Sequence, residues 1–232
     1  MSCQFEFQEI KTALENGAKE YPSFSYPWEG LEDWLEKSDL PELPLVGYGS
    51  LINQQSAGRT INVDSSARRQ AVKAFGAKRI FNYRMPDTLL KKRYQTPPHP
   101  RKVAALNCET SGLADDEFNG ILTYVKGDRL SHLREREKSY SLKPIAYHNW
   151  DGDNTPLRVA YILELLPDPS IKDHPYDSTI LPHQKYTELC QEGARCVSPS
   201  FLEHFNKTCL LSDKKTTLAA YQSKHGKPEE SP

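Results

Sequence analysis

The 232-residue chain has no apolar stretch near the roughly 20 residues that a membrane-spanning helix requires, and no long run of basic residues. These absences argue against an integral membrane protein and against a nucleic-acid-binding stripe. The first residues also lack the basic and apolar regions of a secretory signal, so we expect a cytoplasmic protein. With 37% hydrophobic residues, 26% charged residues and a net charge of -1, the composition is that of one globular domain with short extensions.

Cysteine and histidine are present but lack the spacing of a disulfide framework or a metal site. The five cysteines are odd in number and form no Cys-x-x-Cys pair, so we expect reduced thiols. The seven histidines form no His-Glu-x-x-His motif and no other close ligand pair. The sequence therefore predicts no metal.

The chain divides into three predicted parts. Residues 1–40 form an N-terminal helical extension, with helices near residues 5–19 and 28–37, that docks on the main domain. The main domain covers residues 41–212. Residues 213–232 form a C-terminal segment whose last residues, 224–232, are a polar tail. Whether the extension acts as a lid is left open.

Short runs with strand character recur through the main domain, at residues 45–48, 71–81, 103–107, 120–125, 144–150 and 157–165. Residues 150–154 carry strong turn chemistry, which predicts a hairpin between the last two runs. Because the strands are mostly close neighbours in sequence, we expect a mixed, mainly antiparallel sheet rolled toward a small barrel, with helices around it. The predicted fold class is α+β.

Two helices are predicted after these strands. The first covers residues 182–192 and ends at Gly193 as a C′ residue. The second begins at Ser198 as N-cap with Pro199 in the first helical position, and its apolar stripe continues through Phe205 to Cys209.

A short apolar run at residues 43–46 ends abruptly in Gly47-Tyr48-Gly49-Ser50. Glycines at 47 and 49 allow close approach to the backbone, and successive N–H groups in such a turn can form a concavity for an anion or an oxyanion. The sequence therefore predicts a binding loop, although an ordinary tight turn after a buried strand remains an alternative at this point.

Other glycine-rich motifs do not fit this loop. Ile52 stands where a dinucleotide fingerprint needs a third glycine, and the Gly-Lys-Ser/Thr ending of a phosphate-binding loop is absent. Ser50 lacks the second glycine of a nucleophile elbow. A Ser50-dependent hydrolase would need a histidine within hydrogen-bond reach of that serine.

A second candidate lies in residues 128–140, which we predict to be a helix with Asp128 as N-cap. At about 100° per residue Glu137 falls on the apolar stripe, whereas Glu135 points away. A carboxylate on that stripe would lose solvation, which raises its pKa and makes it a better proton acceptor near neutral pH. The residues that share the stripe are Leu130, Leu133, Glu137 and Tyr140.

Two alternatives stay open for this stripe. Glu137 could lie at its edge and pair with Arg134, Lys138 or Lys143. Tyr140 could be a core residue with its hydroxyl bonded to a neighbour.

Three separated segments resemble the γ-glutamylcyclotransferase-like superfamily, which includes ChaC-type and AIG2-like members. Residues 46–52 resemble its substrate-binding loop, and residues 120–125 with 133–140 resemble the strand and helix that carry its catalytic glutamate. Tyr186 and Gly193-Ala194 resemble a pattern of its C-terminal helix. The resemblance spans roughly residues 44–210, and the order of the segments makes it more specific than any one motif. Only two residues separate Glu137 from Tyr140, fewer than in ChaC-type members.

The resemblance implies a cyclotransferase that converts a γ-glutamyl compound to 5-oxoproline and a free amine. Its substrate would be glutathione, a γ-glutamyl peptide or a γ-glutamyl amine, and neither a metal nor an organic cofactor is required. Glu137 would be the general base. The predicted substrate-binding residues are Tyr48, Gly49, Ser50, Leu51 and Tyr140.

The alternative is a non-catalytic γ-glutamyl-binding or regulatory protein on the same fold. Either way the expected partner is a small γ-glutamyl molecule rather than nucleic acid or a membrane. The leaving group, the role of Tyr186 and the oligomeric state are left open by the sequence.

Overall fold

The computed structural model describes residues 7–38, 40, 42–61, 69–95, 102–152 and 156–226. Its helices are α1 Phe7–Glu20, α2 Leu31–Lys37, α3 Gln54–Ile61, α4 Asp87–Leu89, α5 Gly127–Arg136, α6 Gln184–Val197, α7 Pro199–Thr208 and α8 Leu218–His225. A 3₁₀ turn covers Ser50–Ile52, and α4 continues as a π turn at Leu90–Tyr94. The strands are β1 Glu42–Gly47, β2 Arg69–Phe75, β3 Ala77–Arg84, β4 Val103–Thr110, β5 Glu117–Lys126, β6 Ser141–Asn149, β7 Arg158–Glu164, β8 Leu181–Pro182 and β9 Cys209–Leu210.

Five strands form a closed barrel in the order β1-β5-β2-β6-β7. The pairs along this order are antiparallel, and a parallel contact between β1 and β7, with Leu45 opposite Tyr161, closes the barrel. A second sheet has the order β8-β4-β3-β9. The predicted fold class is confirmed: the sheet is mixed, mainly antiparallel and rolled into a small barrel with helices around it.

The run predicted at residues 71–81 is two strands rather than one. Gly76 separates β2 from β3 with a φ of 87°, and its N–H donates to the Asp116 carbonyl at 2.8 Å. The chain thereby leaves the barrel and enters the second sheet. The apolar pattern continues through this bend and does not reveal it. Gly76 is the one residue in the run that indicates a break between two strands.

The predicted hairpin is confirmed, since β6 and β7 pair antiparallel from Ser141 opposite Glu164 to Tyr147 opposite Arg158. Residues 153–155 of its turn lie outside the described residues.

The C-terminal helix boundaries differ in part from the prediction. Gly193 does not end a helix, because α6 continues to Val197. It is buried there, and a methyl group in its place would lie 2.6 Å from the Asn53 backbone nitrogen. Ser198 caps α7 as predicted, accepting a hydrogen bond from the Phe201 N–H at 3.0 Å.

The predicted polar tail at residues 224–232 is described only in its first residues. Lys224 and His225 are the last residues of α8, and residues 227–232 lie outside the described residues. Cys209 is buried in β9, beyond the end of α7.

The N-terminal segment packs into the main core. Trp28 and Leu31 are fully buried, and the Trp28 indole N–H donates to the Tyr140 carbonyl at 2.8 Å. Trp28 lies before α2 rather than in it, because the helix begins three residues later than predicted, after Gly30. This segment therefore helps to fix the backbone at Tyr140.

Within the described ranges, no helix combines the length and the apolar character needed to cross a membrane. In the same part of the chain no three His, Cys, Asp or Glu side chains gather where a metal ion could be held. Cys108, Cys190, Cys196 and Cys209 have free thiols, as predicted, and Cys3 lies outside the described residues.

Candidate functional site

The predicted binding loop lies at the end of barrel strand β1. The strand ends at Gly47, and the chain turns through Gly49 into the 3₁₀ turn Ser50–Ile52, where the Ile52 N–H donates to the Gly49 carbonyl at 3.0 Å. This loop lines a cavity of about 170 Å³. The described residues around the cavity are Val46, Tyr48, Gly49, Ser50, Leu51, Tyr83, Met85, Leu89, Arg93, Tyr94, Ala105, Leu106, Arg136, Glu137, Tyr140, Leu163 and Tyr186.

Gly49 is required because α6 approaches the loop closely. A methyl group at this position would overlap the Tyr186 hydroxyl and would lie 3.5 Å from Leu106 Cβ. Tyr186 is buried and packs edge-on against Phe81 at a centroid distance of 6.5 Å. Two of the segments that resemble the superfamily therefore meet at this point.

Two arginines that were not predicted from the sequence donate hydrogen bonds to carbonyl groups of the loop. Arg79 is fully buried and donates to the Tyr48 carbonyl at 3.2 Å. Arg69 donates to the carbonyl of Leu51, and to that of Ile52 at 3.2 Å. The sequence did carry a signal for Arg79. It is a charged residue within a predicted apolar strand, and a buried charge there requires buried hydrogen-bond acceptors.

Tyr48 forms part of the cavity wall, and its hydroxyl group is already hydrogen-bonded within the protein. Its side chain is 7% exposed, and its hydroxyl donates to the Leu163 carbonyl at 2.7 Å. Its ring packs edge-on against Phe118.

Glu137 also lines the cavity, but the local geometry differs from the prediction. Helix α5 begins at Gly127 with Lys126, not Asp128, as N-cap, and it ends at Arg136. Glu137 is the C-cap residue, with a φ of -96° and a ψ of 43°. Both Glu137 and Tyr140 therefore lie beyond the helix, where its periodicity no longer applies.

The predicted difference between the two glutamates nevertheless holds. The Glu137 side chain is only 17% exposed, whereas Glu135 is exposed. Leu130 and Leu133 are buried, as the stripe predicted. The chain turns inward after Arg136, which places Glu137 at the cavity.

Burial raises the pKa of Glu137, and the nearby charges of Arg136 and Arg93 oppose that rise. Arg136 Nε lies 3.5 Å from Glu137 Oε1. The partner is thus Arg136 rather than Arg134, which pairs instead with Glu32. A carboxyl group whose pKa is raised by burial is a better proton acceptor near neutral pH, as a general base requires.

The short connection after Glu137 is a tight turn. The Tyr140 N–H donates to the Glu137 carbonyl at 3.2 Å, and Ser139 takes a positive φ of 75°. The Tyr140 ring stacks on Tyr83 with centroids 5.6 Å apart. This turn brings Tyr140 to the same cavity as Glu137.

The buried tyrosines of the cavity remain protonated at neutral pH. Burial is the main cause that raises the pKa of Tyr48, Tyr140 and Tyr186 well above 10. Such hydroxyls can donate hydrogen bonds but do not supply a base. Among the described residues that line the cavity there is no histidine, so the group that a Ser50-dependent hydrolase requires is not found there.

All six residues that the sequence singled out line this one cavity; their roles remain predictions. Sequence reasoning did not find the contributions of Tyr83, Arg93, Tyr94 and Arg136. No short motif joins these residues, since they come from different parts of the chain and meet only in the folded structure.

Several solved structures align with this chain. An uncharacterized human protein aligns at a TM-score of 0.50 and 14% identity, over 71% of this chain and 86% of that one. A γ-glutamyl cyclotransferase aligns at 0.47 and 13%, over 71% and 86%. A yeast γ-glutamyl cyclotransferase specific to glutathione aligns at 0.42 and 12%, over 73% and 97%. No protein-family model matches the chain, and no curated protein matches it.

The protein is of the α+β class built on a small closed barrel, with a cavity at the end of its first strand. More particularly, its fold is shared by the uncharacterized human protein, and two structures named γ-glutamyl cyclotransferase align with it as well. At 14% identity the likeness to the human protein shows the fold alone.

Proposed function

We propose that the protein is a cyclotransferase that converts a γ-glutamyl compound to 5-oxoproline and a free amine. The observation that carries the proposal is Glu137, a desolvated carboxyl group on the same cavity as the glycine loop at residues 47–51. In this reaction the nucleophile belongs to the substrate, so the protein needs a base and hydrogen-bond donors but no nucleophilic side chain.

The reaction is an intramolecular transfer of the acyl group. The α-amine nitrogen of the substrate attacks the γ-carbonyl carbon and closes a five-membered ring, and the bond from that carbon to the leaving nitrogen breaks. Glu137 accepts the proton of the attacking amine and returns it to the leaving amine. Atoms and charges balance without water or a cofactor.

The loop supplies donors for the negative charge of the substrate. The first N–H groups of a helical turn have no acceptor within that turn, which applies to Ser50 and Leu51 at the start of the 3₁₀ turn. These groups would hold the α-carboxylate or the oxygen of the tetrahedral intermediate. Arg69 and Arg79 support this role because they donate hydrogen bonds to carbonyl groups of the loop and so fix its conformation. Tyr140 would contact the bound substrate beside Glu137.

The test is product analysis with a panel of glutathione, γ-glutamyl dipeptides and γ-glutamyl amines, in water enriched in ¹⁸O. We expect unlabelled 5-oxoproline together with the free amine. Release of ¹⁸O-labelled glutamate would indicate hydrolysis and contradict the proposal. Saturable binding without turnover across the panel would instead support the non-catalytic binding protein.

A further inference from the structure

A segment outside the resembling motifs contributes to the cavity wall. Met85 follows β3, Leu89 ends α4, and Arg93 lies in the π turn Leu90–Tyr94; all three line the cavity. π turns are rare and are frequently found at functional sites. The segment from Met85 to Arg93 thus brings one cationic side chain and two apolar ones to the cavity wall.

The charges of the cavity do not balance. Among the described residues that line it, Arg93 and Arg136 carry guanidinium groups and Glu137 carries the one carboxyl group. Arg136 pairs with that carboxyl group, whereas Arg93 donates to the Ser56 hydroxyl at 2.6 Å. No carboxylate of the described residues lies within ion-pair distance of Arg93.

Arg93 is nevertheless close enough to act on the site. After burial and Arg136, its charge is the next influence on the pKa of Glu137, and it also helps to lower the pKa of Arg136. The cavity therefore holds an excess of positive charge next to the proposed base.

We propose that Arg93 recognises a carboxylate on the leaving group, so that the preferred substrates release an amino acid or a peptide rather than a simple amine or a diamine. This inference rests on the proposed cyclotransferase function. The γ-glutamyl head carries one ammonium and one carboxylate and is neutral overall. A leaving amino acid adds a negative charge that Arg93 attracts, and a leaving diamine adds a positive charge that it repels. Met85 and Leu89 would pack against the apolar part of the leaving group.

The test compares kcat/KM for γ-glutamyl-alanine and γ-glutamyl-alaninamide, which differ in this one charge. We expect the wild type to prefer the acid by about 10- to 100-fold, the range of a hydrogen bond to a charged group. Arg93→Gln is expected to bring the ratio close to one, and Arg93→Lys to retain most of the preference. The ratio within one variant does not depend on how much of the variant is folded. Arg195→Gln, at an exposed position of α6, is the matched control and should keep the wild-type ratio.

Three results would overturn the inference. The first is equal turnover of acid and amide by the wild type, and the second is an unchanged preference in Arg93→Gln. The third is a fall of the ratio to one in Arg195→Gln as well, which would show that the preference does not depend on Arg93 specifically. Absence of 5-oxoproline from both substrates contradicts the proposed function itself, and the inference fails with it.

Discussion

Glu137 combines low exposure with two neighbouring cations, and these act on its pKa in opposite directions. Burial raises the pKa and is the largest effect, while Arg136 and then Arg93 lower it. A base works only when it is deprotonated, so activity that depends on Glu137 is present above its pKa and is lost as the pH falls through it. Burial and the two arginines together set the lower pH limit of the proposed reaction.

Arg136→Gln is expected to move the acid limb of the kcat/KM profile to higher pH. The substitution removes the cation 3.5 Å from Glu137 Oε1, so burial acts with less opposition and the pKa rises further. The measurement is the pH profile of 5-oxoproline formation. Arg134→Gln, whose arginine pairs with Glu32, is the control. An acid limb that stays in place or moves to lower pH would show that Arg136 does not act on the base.

At the scale of elements, Arg79 connects β3 to three other parts of the fold. Its guanidinium group donates to the loop carbonyl of Tyr48, to Asn119 of β5, and to Phe205 and Thr208 at the end of α7. Because the side chain is fully buried, water cannot replace it. The loop position is therefore tied to the packing of the barrel against α7.

Arg79→Met is expected to lower the free energy of unfolding by about 3 kcal/mol or more, because several buried acceptors lose their donor. Urea unfolding measures the change. Arg84→Met is the control on the same strand, since Arg84 donates to the Asp173 carbonyl in an exposed contact. We expect that substitution to cost less than about 1 kcal/mol. Equal effects of the two substitutions would contradict this account of Arg79.

A second contact between elements makes stability depend on pH. Glu117 of β5 lies 2.6 Å from Lys73 Nζ of β2 and 3.0 Å from His204 Nε2 of α7. Burial alone would raise its pKa, but the hydrogen bonds and charges of His204 and Lys73 outweigh burial and lower the pKa from 4.5 to about 2. A lowered carboxyl pKa stabilises the fold above the unfolded value, and this contribution is lost as the pH falls toward 2.

Glu117→Gln is therefore expected to lower the melting temperature at pH 7. The effect should shrink progressively below about pH 4.5, the ordinary pKa of this carboxyl group. Thermal unfolding of both proteins between pH 7 and pH 2.5 measures this. A difference that does not change with pH would show that the contact acts through packing rather than charge.

At the scale of the whole molecule, the N-terminal segment and the site share a core. Trp28 is fully buried among core residues and donates to the carbonyl of Tyr140, a residue of the cavity. Trp28→Ala is expected to lower the free energy of unfolding by about 3–5 kcal/mol and to reduce turnover as well. Phe7→Ala, at a side chain that is 54% exposed, is the control and should change stability by less than about 0.5 kcal/mol. If Trp28→Ala and Phe7→Ala changed the free energy of unfolding and the turnover rate by the same amounts, the structural role of Trp28 would be contradicted.

The parts of the fold that could be predicted from sequence are those set by local patterns. Strand runs and the turn chemistry at residues 150–154 predicted the hairpin of β6 and β7, and Ser198-Pro199 predicted the start of α7. Closure of the barrel by β1 and β7 depends on residues far apart in sequence, which periodicity does not report. A helical stripe predicted the burial of Glu137, although the residue lies past the helix end and the following turn directs it inward. Arg93 reaches the cavity through a π turn, for which the sequence carries no comparable signal.

The most direct test of the central claim is the rate of 5-oxoproline formation from γ-glutamyl-alanine by Glu137→Gln and by Glu135→Gln. The two glutamates are neighbours, but Glu137 lines the cavity and Glu135 is exposed. If Glu137 is the base, Glu137→Gln loses about 100- to 10,000-fold in kcat, while Glu135→Gln retains the wild-type rate. Wild-type turnover by folded Glu137→Gln would contradict the claim.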